Sequence, residues 1–159
     1  MAYLIDGNNF IGHTSRFAHR DPRSKRELTA KLWIFYKMTR SRIFLVFDGP
    51  PDPKISEQKF PEGSFSVIFP DRDENADSVI KDIISQQEVL KKFNVVSSDR
   101  ELKDYARQQG AKSMTCEEFN KELKPVLKRH KKQRELEKHV RIPTPLEVEQ
   151  WIDIFTMKK

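Results

Sequence analysis

Two short apolar runs, each ending in aspartate and glycine, constrain this chain more than any other feature. Ala2-Tyr3-Leu4-Ile5 runs into Asp6-Gly7, and Arg42-Ile43-Phe44-Leu45-Val46-Phe47, apolar after its first residue, runs into Asp48-Gly49. Runs that are apolar at nearly every position suit parallel strands covered on both faces. Between them Ser24-Lys25-Arg26-Glu27 has the spacing of a capping box, and Leu28, Leu32, Phe35 and Tyr36 then recur at helical intervals. A β-α-β unit is the expectation for the first fifty residues.

The same alternation continues downstream. Residues 50–63 hold four prolines and a glycine, too broken for either regular element, and read as a loop over the sheet edge. A third strand is expected at Phe65 to Phe69. Asp71 to Asn75 can then cap a helix with Ala76, Val79, Ile80, Ile83 and Ile84 on its apolar face. Phe93 to Val96 reads as a fourth strand, leading into Ser98-Asp99-Arg100-Glu101, a second capping-box pattern, and a helix that stops at Gly110. Lys112 to Met114 is a short last strand, and Thr115-Cys116-Glu117-Glu118 opens another helix. The basic stretch is expected to be helical from about Lys124 to His139, with Pro125 in a first turn or at a break. A final amphipathic helix would start at Thr144 and carry Trp151, Ile154 and Phe155. The pattern argues for an α/β sandwich with a mostly parallel central sheet flanked by helices.

At 159 residues the chain fits one core, so one site is sought. No run approaches the roughly 18 apolar residues that spanning a bilayer needs. The N-terminus reaches Asp6 too soon for a secretory signal, so a cytoplasmic location is expected. A lone cysteine, Cys116, excludes an intramolecular disulfide and a thiolate metal site. The net charge of +6 favours a polyanionic partner. Its excess is local: from 121 to 141 nine residues are basic and three acidic.

In an open parallel sheet, sites form outside the carboxyl ends of the strands. Asp6 follows the first strand, Asp48 the second, and Asp99 stands just past the fourth; Asp77 lies in the first turn of the helix after the third. If the strands are neighbours, these four carboxylates converge. Packed together, their ionised forms are disfavoured unless a cation intervenes. An all-oxygen set suits Mg²⁺ or Mn²⁺ rather than zinc, and such an ion supports phosphodiester hydrolysis. Asn9 could fix a carboxylate or a metal-bound water through its amide, Gly7 would let the backbone turn tightly, and Ser98 could hold a water or a phosphate oxygen. Each also has a plainer reading: Ser98 and Asp99 as helix caps, Asp77 as a partner of the helix dipole, and the Asp6 and Asp48 segments as turns. Joint placement at one sheet edge is what independent caps and turns would not require.

These segments resemble the NYN branch of the PIN-like nucleases, and within it the YacP-like ribonucleases. The resemblance is carried by LIDGNNFIG (Leu4 to Gly12), FLVFDG (Phe44 to Gly49), FPDRDENADSVI (Phe69 to Ile80) and VVSSDRELKDYARQQGA (Val95 to Ala111), which span roughly the first 115 residues in the family's order. It implies metal-binding carboxylates at Asp6, Asp48, Asp77 and Asp99, with Asn9 as the asparagine after the first aspartate. It also implies Mg²⁺ or Mn²⁺, RNA cleavage and, for the YacP-like group, ribosome-associated mRNA as substrate. One departure stands at Asn8, where the family segment usually carries an aromatic residue; a stacking contact there does not carry over. The implied organisation is a PIN-like NYN domain over residues 1–120, and a basic helical extension over 121–159 that packs on it or continues it.

In that extension Lys128, Arg129, Lys131, Lys132 and Arg134 could contact RNA phosphates, against the alternative of a solvated helix face. Arg16, His19, Arg20 and Arg23 could line the other side of the path. Endoribonuclease is therefore the leading function. Its rivals are a non-catalytic RNA- or ribosome-binding module and a structure-specific DNA nuclease.

Overall fold

The protein is described here from a computed structural model covering residues 1–14 and 21–140, with side chains through Lys138. Its elements run β1 (Ala2–Asp6), α1 (Gly7–Thr14), α2 (Pro22–Thr39), β2 (Arg42–Val46), α3 (Pro53–Ser56), β3 (Phe65–Ile68), α4 (Ala76–Ser85), β4 (Phe93–Val96), α5 (Arg100–Gln109), β5 (Lys112–Met114) and α6 (Cys116–Val140). The five strands form one sheet in the order β3-β2-β1-β4-β5. Every pairing is parallel, so the sheet is wholly rather than mostly so.

Alternation along the strands sorts the core into two clusters. Tyr3, Ile5, Ile43, Leu45, Phe47 and Val96 face α1, α2 and α6, meeting Phe10, Leu32, Trp33 and Phe119. Leu4, Val46, Phe93 and Val95 face α4 and α5, meeting Ile80, Ile84, Leu102 and Ala106. Both faces are covered, which is why the strands are apolar at almost every position. The chain builds outward from β1 through β2 to β3, then returns to add β4 and β5 on the other side. The reversal falls between β1 and β4, the point of an open parallel sheet outside whose carboxyl edge ligand sites form.

Several local expectations change. α2 begins at Pro22, not at a Ser24 cap: Asp21 accepts from the Arg23 N–H at 2.9 Å and Pro22 takes the first helical position. Proline is preorganised there and lacks a donor that would otherwise be orphaned, while Ser24 is buried. At α5 the cap is Asp99, which accepts from the Glu101 and Leu102 N–H groups; Glu101 reaches Lys81 at 2.9 Å instead of closing a box. The Thr115 to Glu118 box does close, with reciprocal bonds of 2.9 and 3.1 Å. The proline-rich loop contains the single turn α3, capped by Asp52. The segment after Asp6, for which a turn was the plainer reading, is the helix α1, and Gly7 is required there for close approach. A Cβ on it would lie 2.5 Å from the Phe47 ring and 2.9 Å from the Val46 carbonyl.

α6 starts well before Lys124 and runs unbroken past Pro125, which lies in its interior. Phe119, Leu123 and Val126 bury one stripe of the helix in the core, while Pro125 is exposed. The freed Lys121 carbonyl therefore faces the solvent side, where water can take it. The helix expected from Thr144, with Trp151, Ile154 and Phe155, lies outside the described residues. Among the described residues no helix is long and apolar enough to cross a membrane.

Candidate active site

Asp6 ends the central strand and is 7% exposed. Its carboxylate accepts from the Ser97 hydroxyl at 3.1 Å, and the Asn9 backbone N–H also favours its ionised form. Burial pushes its pKa up to about 6; Ser97 and Asn9 oppose that rise, whereas the charges of Asp77 and Asp99 add to it. Asp77, in the first turn of α4, is likewise raised, first by partial burial and then by Asp99, Glu101 and Asp48, with Lys81 opposing. The four aspartates named from sequence thus act on one another at one edge of the sheet. That edge lies at the topological reversal.

Asn9 and Ser98 have defined positions in this edge. The Asn9 side-chain oxygen accepts from the Ser98 N–H at 2.8 Å, the Ser97 hydroxyl at 3.5 Å and the Cys116 thiol at 3.1 Å. It ties α1 to the β4–α5 loop and to the start of α6. The Ser98 hydroxyl donates to Glu117 at 3.4 Å and accepts from the Cys116 N–H at 3.2 Å, so its contacts are to the α6 terminus.

Three residues of the edge were not singled out from sequence. Ser97 is fully buried and links Asp6 to the Asp99 N–H, which donates to its Oγ at 3.1 Å. Nothing in the string separates two adjacent serines; the register does, since Ile5 pairs with Val96 and the next step sets Ser97 beside Asp6. Asn8, noted only as a departure from an aromatic, accepts from the Asp48 N–H at 2.8 Å. Lys25 donates from Nζ to the Asp48 carbonyl at 2.8 Å and lies 5.6 Å from the Phe47 ring centre. Burial pushes the Lys25 pKa down, with Asp48 and Asp52 opposing. Asn8 and Lys25 thereby hold both backbone polar groups of Asp48 and aim its exposed side chain.

The donor set is carboxylate oxygen, the chemistry that suits a hard divalent cation. Among the described residues no three His, Cys, Asp or Glu side chains close into a ready ligand cage. An open set of coupled carboxylates still fits Mg²⁺, which keeps several of its waters and takes one or two carboxylates directly. The rise at Asp6 comes first from burial and then from the charges of Asp77 and Asp99, and a cation held there would favour the ionised form.

The basic residues are placed less compactly. Arg23 stands at the start of α2 with its guanidinium on its neighbour Asp21 at 2.7 Å. Arg16 and Arg20, with His19, lie outside the described residues. α6 leaves the aspartate edge at Cys116 and runs back along the sheet, passing Tyr3, whose hydroxyl donates to Glu122 at 3.5 Å. At 1.5 Å per residue, Lys128 to Arg134 lie roughly 18 to 27 Å along the helix axis from Cys116. The exposed lysines and arginines of this segment are therefore remote from the aspartates rather than beside them.

A three-layer parallel α/β sandwich with acidic residues at its β1/β4 reversal is a PIN-like fold. The YacP-like NYN domain profile matches residues 3–152, and the chain belongs to that family. The match continues through α6, beyond the first 115 residues that carried the resemblance. The crystal structure of Rae1 (YacP) from Bacillus subtilis is similar at 20% identity and a TM-score of 0.73, covering 98% of this chain and 92% of that one. A single-substitution mutant of the same protein is similar at 19% identity and a TM-score of 0.66, covering 94% and 89%. At such identity the likeness concerns the fold. No curated protein sequence matches the chain. NYN domains are generally nucleases, which sets the coarse class of activity.

Proposed function

We propose that this protein is a metal-dependent endoribonuclease that hydrolyses RNA phosphodiester bonds at the edge formed by Asp6, Asp48, Asp77 and Asp99. The observation that carries the reading is electrostatic. A buried aspartate is lifted to about 6 against the help of two hydrogen bonds, with two further carboxylates contributing, in a family of nucleases. A purely RNA-binding surface gains nothing from negative charge massed where phosphates would approach.

Mg²⁺ or Mn²⁺, held by these aspartates, would activate water and neutralise charge on the phosphate and the displaced oxygen. The chain's own contribution is positioning. Ser97 and the Asn9 N–H fix the inner carboxylate, and Asn8 with Lys25 fixes the Asp48 backbone. Asn9 and Ser98 clamp the loop carrying Asp99 onto α1 and α6. RNA rather than DNA, and ribosome-associated mRNA as the cellular target, rest on family membership. Lys128, Arg129, Lys131, Lys132 and Arg134 would engage phosphates of the same RNA some distance from the cut, and Arg16, Arg20 and Arg23 would serve nearer the first aspartate.

The test is cleavage of labelled single-stranded RNA and DNA by the wild type and by Asp6→Asn, with Mn²⁺ and with EDTA. The expected result is metal-dependent cutting of RNA, lowered at least 100-fold, on the order expected for losing a transition-state contact, in the variant. Preferential cutting of DNA would overturn the substrate. Equal RNA binding by both proteins with no cutting by either would make this a binding module.

A further inference from the structure

The mechanism leaves unused a cleft of about 440 Å³ beside Asp48, walled by Pro22, Pro50, Pro51 and Pro53 and floored by Lys25 and Arg26. Asn8, which holds the Asp48 N–H, also lines it, so the cleft is continuous with the aspartate edge. Its volume falls within the roughly 300–1,000 Å³ of ordinary ligand sites. Arg26 is committed to Asp52 through two bonds, of 2.9 and 3.3 Å, in a mostly buried pair. That pairing commits Arg26, and Lys25 is the second cation among the described lining residues, with Asp48 and Asp52 both near enough to act on it. An ammonium carries three N–H donors, and the Asp48 carbonyl takes one of those of Lys25.

Flat apolar walls with a lysine on the floor, opening onto a phosphodiester site, match a single nucleotide. We propose that this cleft is a subsite for a nucleotide of the RNA flanking the scissile phosphate. Its base lies against the proline rings and its phosphate is held by Lys25. The proposal rests on the nuclease reading and names the residues that would seat its substrate. The larger neighbouring cleft, about 790 Å³ on the Phe69 side, serves less well. It sets Asp48, Asp71 and Glu74 against Arg72 alone, a field that repels phosphate. The α2 terminus thereby gains a reason for starting at Pro22: the residue that begins the helix also walls the subsite, one turn before Lys25.

The experiment uses the full chain and a short single-stranded RNA carrying 2-aminopurine, titrated in EDTA so that binding is read without turnover. The variants are Lys25→Met, Lys25→Arg and Pro51→Gly, each first checked for an unchanged melting temperature. Lys25→Met is expected to weaken binding roughly fivefold and to lower the salt slope by about 0.7, one phosphate contact on a single strand. Lys25→Arg restores both. Pro51→Gly, on an exposed loop position independent of Lys25, weakens binding with the slope unchanged and reverses the 2-aminopurine emission change seen with wild type. With Mn²⁺, Pro51→Gly raises KM while kcat holds.

Wild-type affinity and slope in Lys25→Met together with Pro51→Gly would overturn the subsite, as would a wild type that binds no RNA or a cleft taken by a protein segment, which leaves every RNA readout unmoved. A wild type that cuts RNA while the variants bind normally removes the subsite and leaves the nuclease standing. A wild type that binds through the cleft yet never cuts does the reverse.

Discussion

Asp6 holds a carboxylate where folding alone would not place one. Buried among Ser97, Asn9 and the charges of Asp77 and Asp99, its ionised form is disfavoured relative to the unfolded chain. Because the folded pKa, about 6, lies above the unfolded value, Asp6 binds its proton more tightly in the native state. Stability is full below about pH 4 and is lost as pH rises through about 6. In EDTA, Asp6→Asn should therefore melt higher than wild type at neutral pH, by about 2–3 kcal/mol of unfolding free energy, with the gain gone at pH 4. Thermal melts of both proteins across pH 4 to 8 read this directly; a variant less stable at every pH would refute it. The sequence placed Asp6 at a strand end and marked it as a candidate. It could not show that Ser97 rather than Ser98 supports it, because that choice depends on how β1 and β4 align.

At the scale of elements, α6 shows tertiary packing overriding propensity. A helix-interior proline costs about 3 kcal/mol, yet α6 passes through Pro125 without ending. Phe119, Leu123 and Val126 on its buried stripe outweigh the lost hydrogen bond. Pro125→Ala should accordingly stabilise the protein by about 2 kcal/mol, less than the full proline penalty because alanine loosens the unfolded chain. Chemical denaturation measures this, and a neutral or destabilising outcome would mean that proline serves the helix geometry. The β-α-β order, the caps at Asn75 and Thr115 and the stop at Gly110 were all legible, since each is written within a few residues. α1 was not. Its start depends on Gly7 sliding under Phe47, a residue forty positions away.

Across the whole molecule the charges separate into an acidic edge and a basic helix leading away from it. RNA engaged by both would have to extend along the α6 side of the domain. Changing Lys128, Arg129, Lys131 and Lys132 together to Ala should reduce the magnitude of the salt slope for single-stranded RNA by up to about 3, while the cleavage rate of saturated enzyme stays near wild type. Binding across a salt series tests it; an unchanged slope would leave the segment a solvated face.

By itself, the order of apolar runs determined the fold class, four local motifs carried the family resemblance, and the acidic strand ends marked four aspartates as candidates. Those features are periodic or local, and a string preserves them. Tertiary structure alone decided which serine touches Asp6, that Asn8 and Lys25 hold Asp48, and that the basic helix lies far from the aspartates. Each of these is a contact or a distance set by strand register and helix direction, quantities that exist only once the sheet has closed.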